Sequence, residues 1–304
     1  MECMYRPSPS RTSRAQLSLS SLLWVVSLVA AFIAVYVVAV HTEVGQGADQ
    51  RAFLSLRGTG ATADLPHVVG LGSVTDLRLW LVSVVAIIGL GLMARRRLSI
   101  VVLLVLPVVG IVLTQFLRDE LLTRPDFDGL GWVTNTFPSG HAVAAAGCVA
   151  AIVRAAPRSV APVAAVAGVG WLTLVSQDLM VWGWHRPSDL IGSVLLAAAL
   201  MHLVPPSRGR GSGENYSRFL IGVVTAAVAA AGPLIWAVTT GHLAVAPVGL
   251  AAAVAIASLV ADRGPADGRG VARGAVGADH QRIERPYRSG GQQDHYGRVT
   301  GVVD

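Results

Sequence analysis

The chain has 304 residues, of which 53% are hydrophobic and 14% charged, with a formal net charge of +6. A soluble domain of this length carries about 25% charged residues; this chain instead repeats long apolar runs, which excludes a water-soluble class in favour of a polytopic membrane protein. The positive charge does not point to nucleic acid, because the basic residues gather between apolar runs, as in loops and tails on the cytoplasmic side.

In chain order, a basic, Ser-rich leader (residues 1–19, with Arg6, Arg11 and Arg14) precedes a first apolar run, 22–40. That run is longer than the ~7–15-residue core of a cleaved signal peptide, which predicts an uncleaved span with a cytoplasmic N-terminus. Residues 41–78 read as an external loop with no strong period. The second span, 79–94, stops at Arg95-Arg96-Arg97, the strongest cytoplasmic marker in the sequence. The third, 98–117, contains Pro107, which a membrane helix accommodates with a kink.

Residues 118–137 read as a second external loop. A fourth span (138–155) meets Arg154 and Arg158 on the inside, a fifth (160–176) returns, and Pro187 opens a sixth that runs to 204. Arg208, Arg210 and Arg218 mark the next cytoplasmic loop, and spans seven (219–238) and eight (243–260) follow. The predicted fold is all-α: a transmembrane bundle with a six-span core (20–204), a loop with two further spans (205–261), and a tail (262–304). The tail is too polar to bury a core and is expected to be disordered in the cytoplasm. Cys3 and Cys148 give no disulfide framework.

Three polar motifs interrupt this pattern, and the topology puts all of them on the external side. Ionisable groups at membrane depth are costly and mark function by default. In Pro138-Ser139-Gly140-His141, the proline suits a first helical turn. The helix N-terminus favours an anion, Ser139 adds a hydroxyl, Gly140 permits close approach, and His141 is placed to give or take a proton. The same four residues also describe an ordinary helix cap with an interfacial histidine. In His185-Arg186-Pro187-Ser188-Asp189, His185 and Asp189 share a helix face. A carboxylate on one ring nitrogen fixes the tautomer and leaves the other as a nucleophile; the alternative is a capped helix whose His and Asp bond only each other.

Arg118 and Arg124-Pro125 form the third motif. All 24 basic residues are arginine, a usage that points to a GC-rich, bacterial coding sequence. Any phosphate-binding cation here is therefore a planar guanidinium fork. Asp119, Glu120, Asp126 and Asp128 compete for these arginines, and their spacing matches no metal-binding loop. The other histidines (His41, His67, His202, His242, His280, His295) show no pairing pattern and read as loop or interfacial residues. Together the three motifs fit phosphoryl transfer, with one histidine as nucleophile and one as acid.

At these residues the chain resembles the type 2 phosphatidic acid phosphatase superfamily. Arg124-Pro125 match the end of that family's first motif, with Arg118 standing in for its leading lysine. Residues 138–141 match the second motif in full, and His185 and Asp189 the end of the third. The resemblance covers residues 22–204. It implies His185 as the phosphoryl-accepting nucleophile, Asp189 as its orienting partner, His141 as the acid, and Arg118, Arg124, Ser139 and Gly140 as the phosphate cradle, with no metal or cofactor. It implies a multi-pass plasma-membrane enzyme of lipid metabolism acting at the external face, both termini cytoplasmic. Its substrate would be phosphatidic acid, phosphatidylglycerol phosphate, or a polyprenyl phosphate or diphosphate. One departure is sharp: Asp178-Leu179 stand where the family has Ser-Arg, so a phosphate-binding arginine is missing and an aspartate sits nearby. Arg186 is expected to leave the helix on another face. Two further readings stay open: a phosphotransferase to an alcohol and, from this departure and the two extra spans, a catalytically weakened lipid-phosphate binding or transport protein.

Overall fold

A computed structural model describes residues 19–63, 76–94, 97–127, 134–204 and 215–262. Nine α-helices and no strand occur among these residues: α1 (Leu19–Val35), α2 (Glu43–Leu54), α3 (Leu77–Met93), α4 (Arg97–Phe116), α5 (Gly140–Ala155), α6 (Ala161–Val181), α7 (Pro187–His202), α8 (Asn215–Thr240) and α9 (Ala246–Ala261). Helices α1 and α4 each continue into a π-helical turn, Tyr36–Val40 and Leu117–Leu121. Five helical segments are long and apolar enough to cross a membrane: Leu19–Val40, Ser99–Leu121, Ala161–Val181, Phe219–Thr240 and Leu243–Ala261. The other three apolar helices, α3, α5 and α7, are shorter. The protein is thus a polytopic helical bundle, its expected spans two to five residues off at several ends.

Helix α7 is the central element. Every residue in it except Ile191 and Leu200 is buried, and it packs against α1, α4, α5 and α9. Small residues make this possible, since Ala, Gly and Ser let helix backbones approach closely. At Gly192 a Cβ would run into the ring of Phe137, the residue before the Pro138-Ser139-Gly140-His141 motif. Helices α1, α3, α4 and α8 instead expose aliphatic side chains such as Leu22, Val82, Val105 and Ile235, an outer surface suited to hydrocarbon rather than water.

Some expectations are corrected here. Part of the first external loop, 43–54, is helix α2, capped by Thr42, whose hydroxyl accepts from Gly45 N. Residues 177–181 belong to α6 rather than to a loop. Arg118 lies on the π-helical end of α4. Pro138 stands before the cap rather than in the first turn, because Ser139 is the cap of α5 and accepts from Ala142 N.

At the far end of the bundle, Asp262 is buried instead of beginning a solvated tail. It takes a 2.9 Å ion pair from Arg154 and a 2.9 Å contact from His202 Nδ1, while Ser20 and Ser21 donate hydroxyls to it. His202 Nε2 lies 2.8 Å from Ser258 Oγ. Arg154 is therefore no loop marker and His202 no interfacial residue. The tail beyond Asp262, and with it Cys3, His67, His280, His295, Asp128 and the arginines at 95, 96, 208 and 210, lie outside the described residues.

Candidate active site

The opposite end of the bundle collects the three motifs. Ser139 is fully buried, and its backbone N–H donates to Ser193 Oγ at 2.8 Å, while Ser193 Oγ donates to Asp189 O at 2.6 Å. This small-residue seam fixes the start of α5 against the first turns of α7. Ser139 acts through the helix end that it caps. The first N–H groups of α5 lack intrahelical acceptors; Ser139 Oγ takes that of Ala142, and a Cβ on Gly140 would meet nothing, so there is open space beside Gly140.

His185 precedes α7 in a turn closed by Gly183, whose φ of +77° suits glycine. The backbone N–H groups of Trp184 and His185 both donate to Leu179 O. Leu179 thus holds the histidine's main chain, while its side chain is buried in an apolar cluster with Leu56, Val175 and Val181. His185 Nδ1 lies 3.6 Å from Asp189 Oδ2, just beyond a formed hydrogen bond. Asp189 is completely buried and accepts from Thr136 Oγ1 at 2.6 Å and from Arg186 N at 2.9 Å. The His141 and His185 rings are tilted by 58° with centroids 6.0 Å apart, about two reacting-atom approaches of ~3–3.5 Å. His141 is exposed and His185 only 7% so.

Arg124 is brought in on a pinned segment. Tyr36 Oη bonds both Thr123 N and Thr123 O, Gln46 Nε2 donates to Pro125 O, and Asn135 Nδ2 donates to Leu122 O. The Arg124 side chain is 2% exposed and lies 3.7 Å from Asp189 Oδ1 and 4.0 Å from Asp49 Oδ2. Its Nε and Nη2 have no hydrogen-bond partner among the described residues. A buried donor left unsatisfied costs about 1–3 kcal/mol, and more when charged, so the geometry suits an anion that accepts these bonds. Arg118 is further out, paired with Asp119 at 2.9 Å and 30% exposed.

Two concerns raised by the sequence resolve differently. The Asp178 carboxylate is buried against the 61–63 segment, accepting from Ala63 N at 2.6 Å. Arg186 packs over the Phe53 ring, donates to Gln50 Oε1 at 2.9 Å and reaches Thr136 Oγ1 at 3.3 Å. It therefore joins the Asp189 side of the cluster.

Sequence reasoning missed Asp49, Gln50, Thr136 and Ser188. Asp49 accepts from both Ser188 N (2.8 Å) and Ser188 Oγ (2.6 Å). Burial first, then the Asp189 charge, raise its pKa to about 6, against the opposing pull of Ser188 and Arg124. The available signal was Thr42-Glu43, a helix start, ahead of a run (48–54) free of Gly and Pro, although Gly45 and Gly47 weaken the pattern between them. No group of three or more His, Cys, Asp or Glu side chains able to hold a metal ion occurs among the described residues.

No curated protein and no solved structure matches the chain. A family model does match, the PAP2 superfamily, over residues 115–210. That stretch holds Arg118, Arg124, Ser139, Gly140, His141, His185 and Asp189 and leaves α1, α2, α3, α8 and α9 outside. The match covers about a third of the chain and is to the family that the three motifs resemble.

Proposed function

We propose that the protein is an integral membrane phosphatase that removes phosphate from a lipid phosphate at the external leaflet through a phosphohistidine intermediate. The observation that carries this reading is the buried Arg124 guanidinium, whose Nε and Nη2 make no hydrogen bond among the described residues, together with two histidine rings 6.0 Å apart. Arg124 and the N-terminal N–H groups of α5 hold the phosphate oxygens. The lone pair of His185 Nε2 attacks phosphorus, the P–O ester bond breaks, and His141 gives its proton to the departing alkoxide. Asp189 keeps the proton on Nδ1 and stabilises the imidazolium. Water then attacks phosphorus and loses a proton to His141; the P–N bond breaks, releasing inorganic phosphate and restoring His185.

The test is phosphate release by the purified protein over a panel of lipid phosphates, wild type beside His185→Ala. The expected loss in the variant is at least about 10³-fold; unchanged release removes His185 from the chemistry. Leu179 in place of a phosphate-binding arginine favours one second reading, a lipid-phosphate binding or transport protein. Removing one such donor typically lowers rate by ~10²–10³. Binding that survives His185→Ala, with no wild-type turnover on any lipid, would select that reading; added alcohol acceptors separate hydrolysis from transfer.

A further inference from the structure

A cavity of about 460 Å³ opens at the catalytic histidine and runs along α5 between α3 and α6. Its mouth is His141 and Trp184, whose rings lie 5.3 Å apart. Its floor is one face of α5, from Ala144 and Ala145 through Cys148 to Ile152. Trp80 on α3 and Trp171 on α6 form its walls, and Ala164 and Gly168 face Ile152 toward the far end. From His141 to Ile152 the helix rises about 16 Å at 1.5 Å per residue, roughly half of a ~30 Å hydrocarbon core. The cavity therefore reaches from the reacting groups through the depth of one leaflet.

The polarity of its lining changes abruptly. Below His141 the only hydroxyl among the described lining residues is that of Ser83, and it donates to Leu79 O of its own helix at 2.8 Å. Among the described residues no carboxylate, carboxamide or guanidinium lines the cavity; the indole N–H groups of Trp80 and Trp171 and the Cys148 thiol are the remaining polar groups, a sparse set for holding the two ester linkages of a glycerol backbone. The residue assigned to protonate the leaving oxygen sits at the point where the apolar lining begins. We infer that this groove takes one hydrocarbon chain attached directly to the leaving oxygen. The preferred substrate class is then the phosphate ester of a single long-chain alcohol, rather than a diacylglycerol phosphate. The inference rests on the phosphatase reading and narrows it. The groove acts by alignment: a chain leaving a membrane for apolar protein gains little from transfer alone, whereas a chain held along α5 fixes the ester oxygen beside His141.

The test uses the full-length protein in detergent, with n-alkyl phosphates from butyl to hexadecyl and dioleoyl phosphatidic acid in the same micelles. The expected result, from alignment of the ester oxygen by the held chain, is a rise in kcat/KM of at least about tenfold along the alkyl series, with phosphatidic acid below the hexadecyl ester. Ala167→Phe and Cys148→Phe, which fill the groove, should abolish that rise while leaving butyl phosphate turnover unchanged. Val163→Phe, on the neighbouring exposed surface of α6, should leave the series intact. A rise that survives both groove variants, or phosphatidic acid turned over better than the hexadecyl ester, overturns the proposal. Quenching of tryptophan fluorescence by a brominated dodecyl phosphonate reads occupancy without turnover. Weaker quenching in Ala167→Phe than in wild type supports the groove, and equal quenching in wild type and both variants overturns it. Groove-dependent quenching without phosphate release from any ester supports the groove and removes the phosphatase reading instead.

Discussion

At the residue scale, the site sets two carboxylates, Asp49 and Asp189, against two guanidinium groups, Arg124 and Arg186, around His185. Asp49 is the adjustable member. Its pKa of about 6 lies above the ordinary value, so the folded protein holds this proton more tightly than the unfolded chain does. The associated stabilisation is present below about pH 4 and is lost as pH rises through about 6. Ionised, Asp49 lies 4.0 Å from Arg124 and, on the proposed function, would compete with phosphate for it. Asp49→Asn is therefore expected to lower KM at pH 7.5 by about 2–10-fold with little change in kcat, and to flatten the dependence of KM on pH between 5 and 7. An equal rise of KM at every pH would instead mark Asp49 as a brace for Ser188 alone. The motif residues were legible because their spacing within one segment carries the chemistry: Ser139 to His141, and His185 to Asp189. Asp49 and Thr136 were not, because their relation to Asp189 exists only once α2 and the 134–139 segment fold against α7.

At the element scale, the start of α5 is placed by packing as much as by its cap. Phe137 is fully buried and packs at a tilt against the rings of Phe32 and Tyr36, with centroids 5.1 and 5.4 Å away. Its ring also occupies the space left by Gly192 on α7. Overpacking such a contact costs typically 1–3 kcal/mol. Gly192→Ala is expected to destabilise the protein by about that amount and to lower turnover by moving Ser139, measured by thermal unfolding in detergent beside phosphate release. Unchanged values on both counts would mean that Phe137 does not hold the α5 terminus. Apolar run length made the spans readable, and Pro187 fixed the start of α7 from sequence. Helix α2 escaped because its composition is polar and its role depends on contacts with 36–40 and α7 rather than on periodicity.

At the scale of the whole molecule, the family match ends at residue 210, but the packed body does not. Helix α9 packs against α5, α6 and α7, and Asp262 at its end closes the buried network with Arg154, His202 and Ser21. Breaking one side of a buried pair costs about 3–5 kcal/mol, because the other charge is left uncompensated. Arg154→Ala should therefore lower stability by roughly that amount, read as a large fall in Tm in detergent, and a chain ending after residue 210 should not purify as a monodisperse species. A stable, active truncation would show that α8 and α9 are dispensable. The sequence could not reveal this network, because Arg154 reads as a flanking charge and Asp262 as the first polar residue after a span. Only their convergence at one end of the bundle pairs them.

The central claim is that His185 carries the phosphoryl group, and rapid acid-free quenching of the protein during turnover of a ³²P-labelled alkyl phosphate tests it most directly. The expected result is label on the wild-type chain that is stable in base, lost in acid, located on His185, and absent from His185→Ala. Phosphate release at the wild-type rate by His185→Ala, with no label trapped on either protein, would contradict the account.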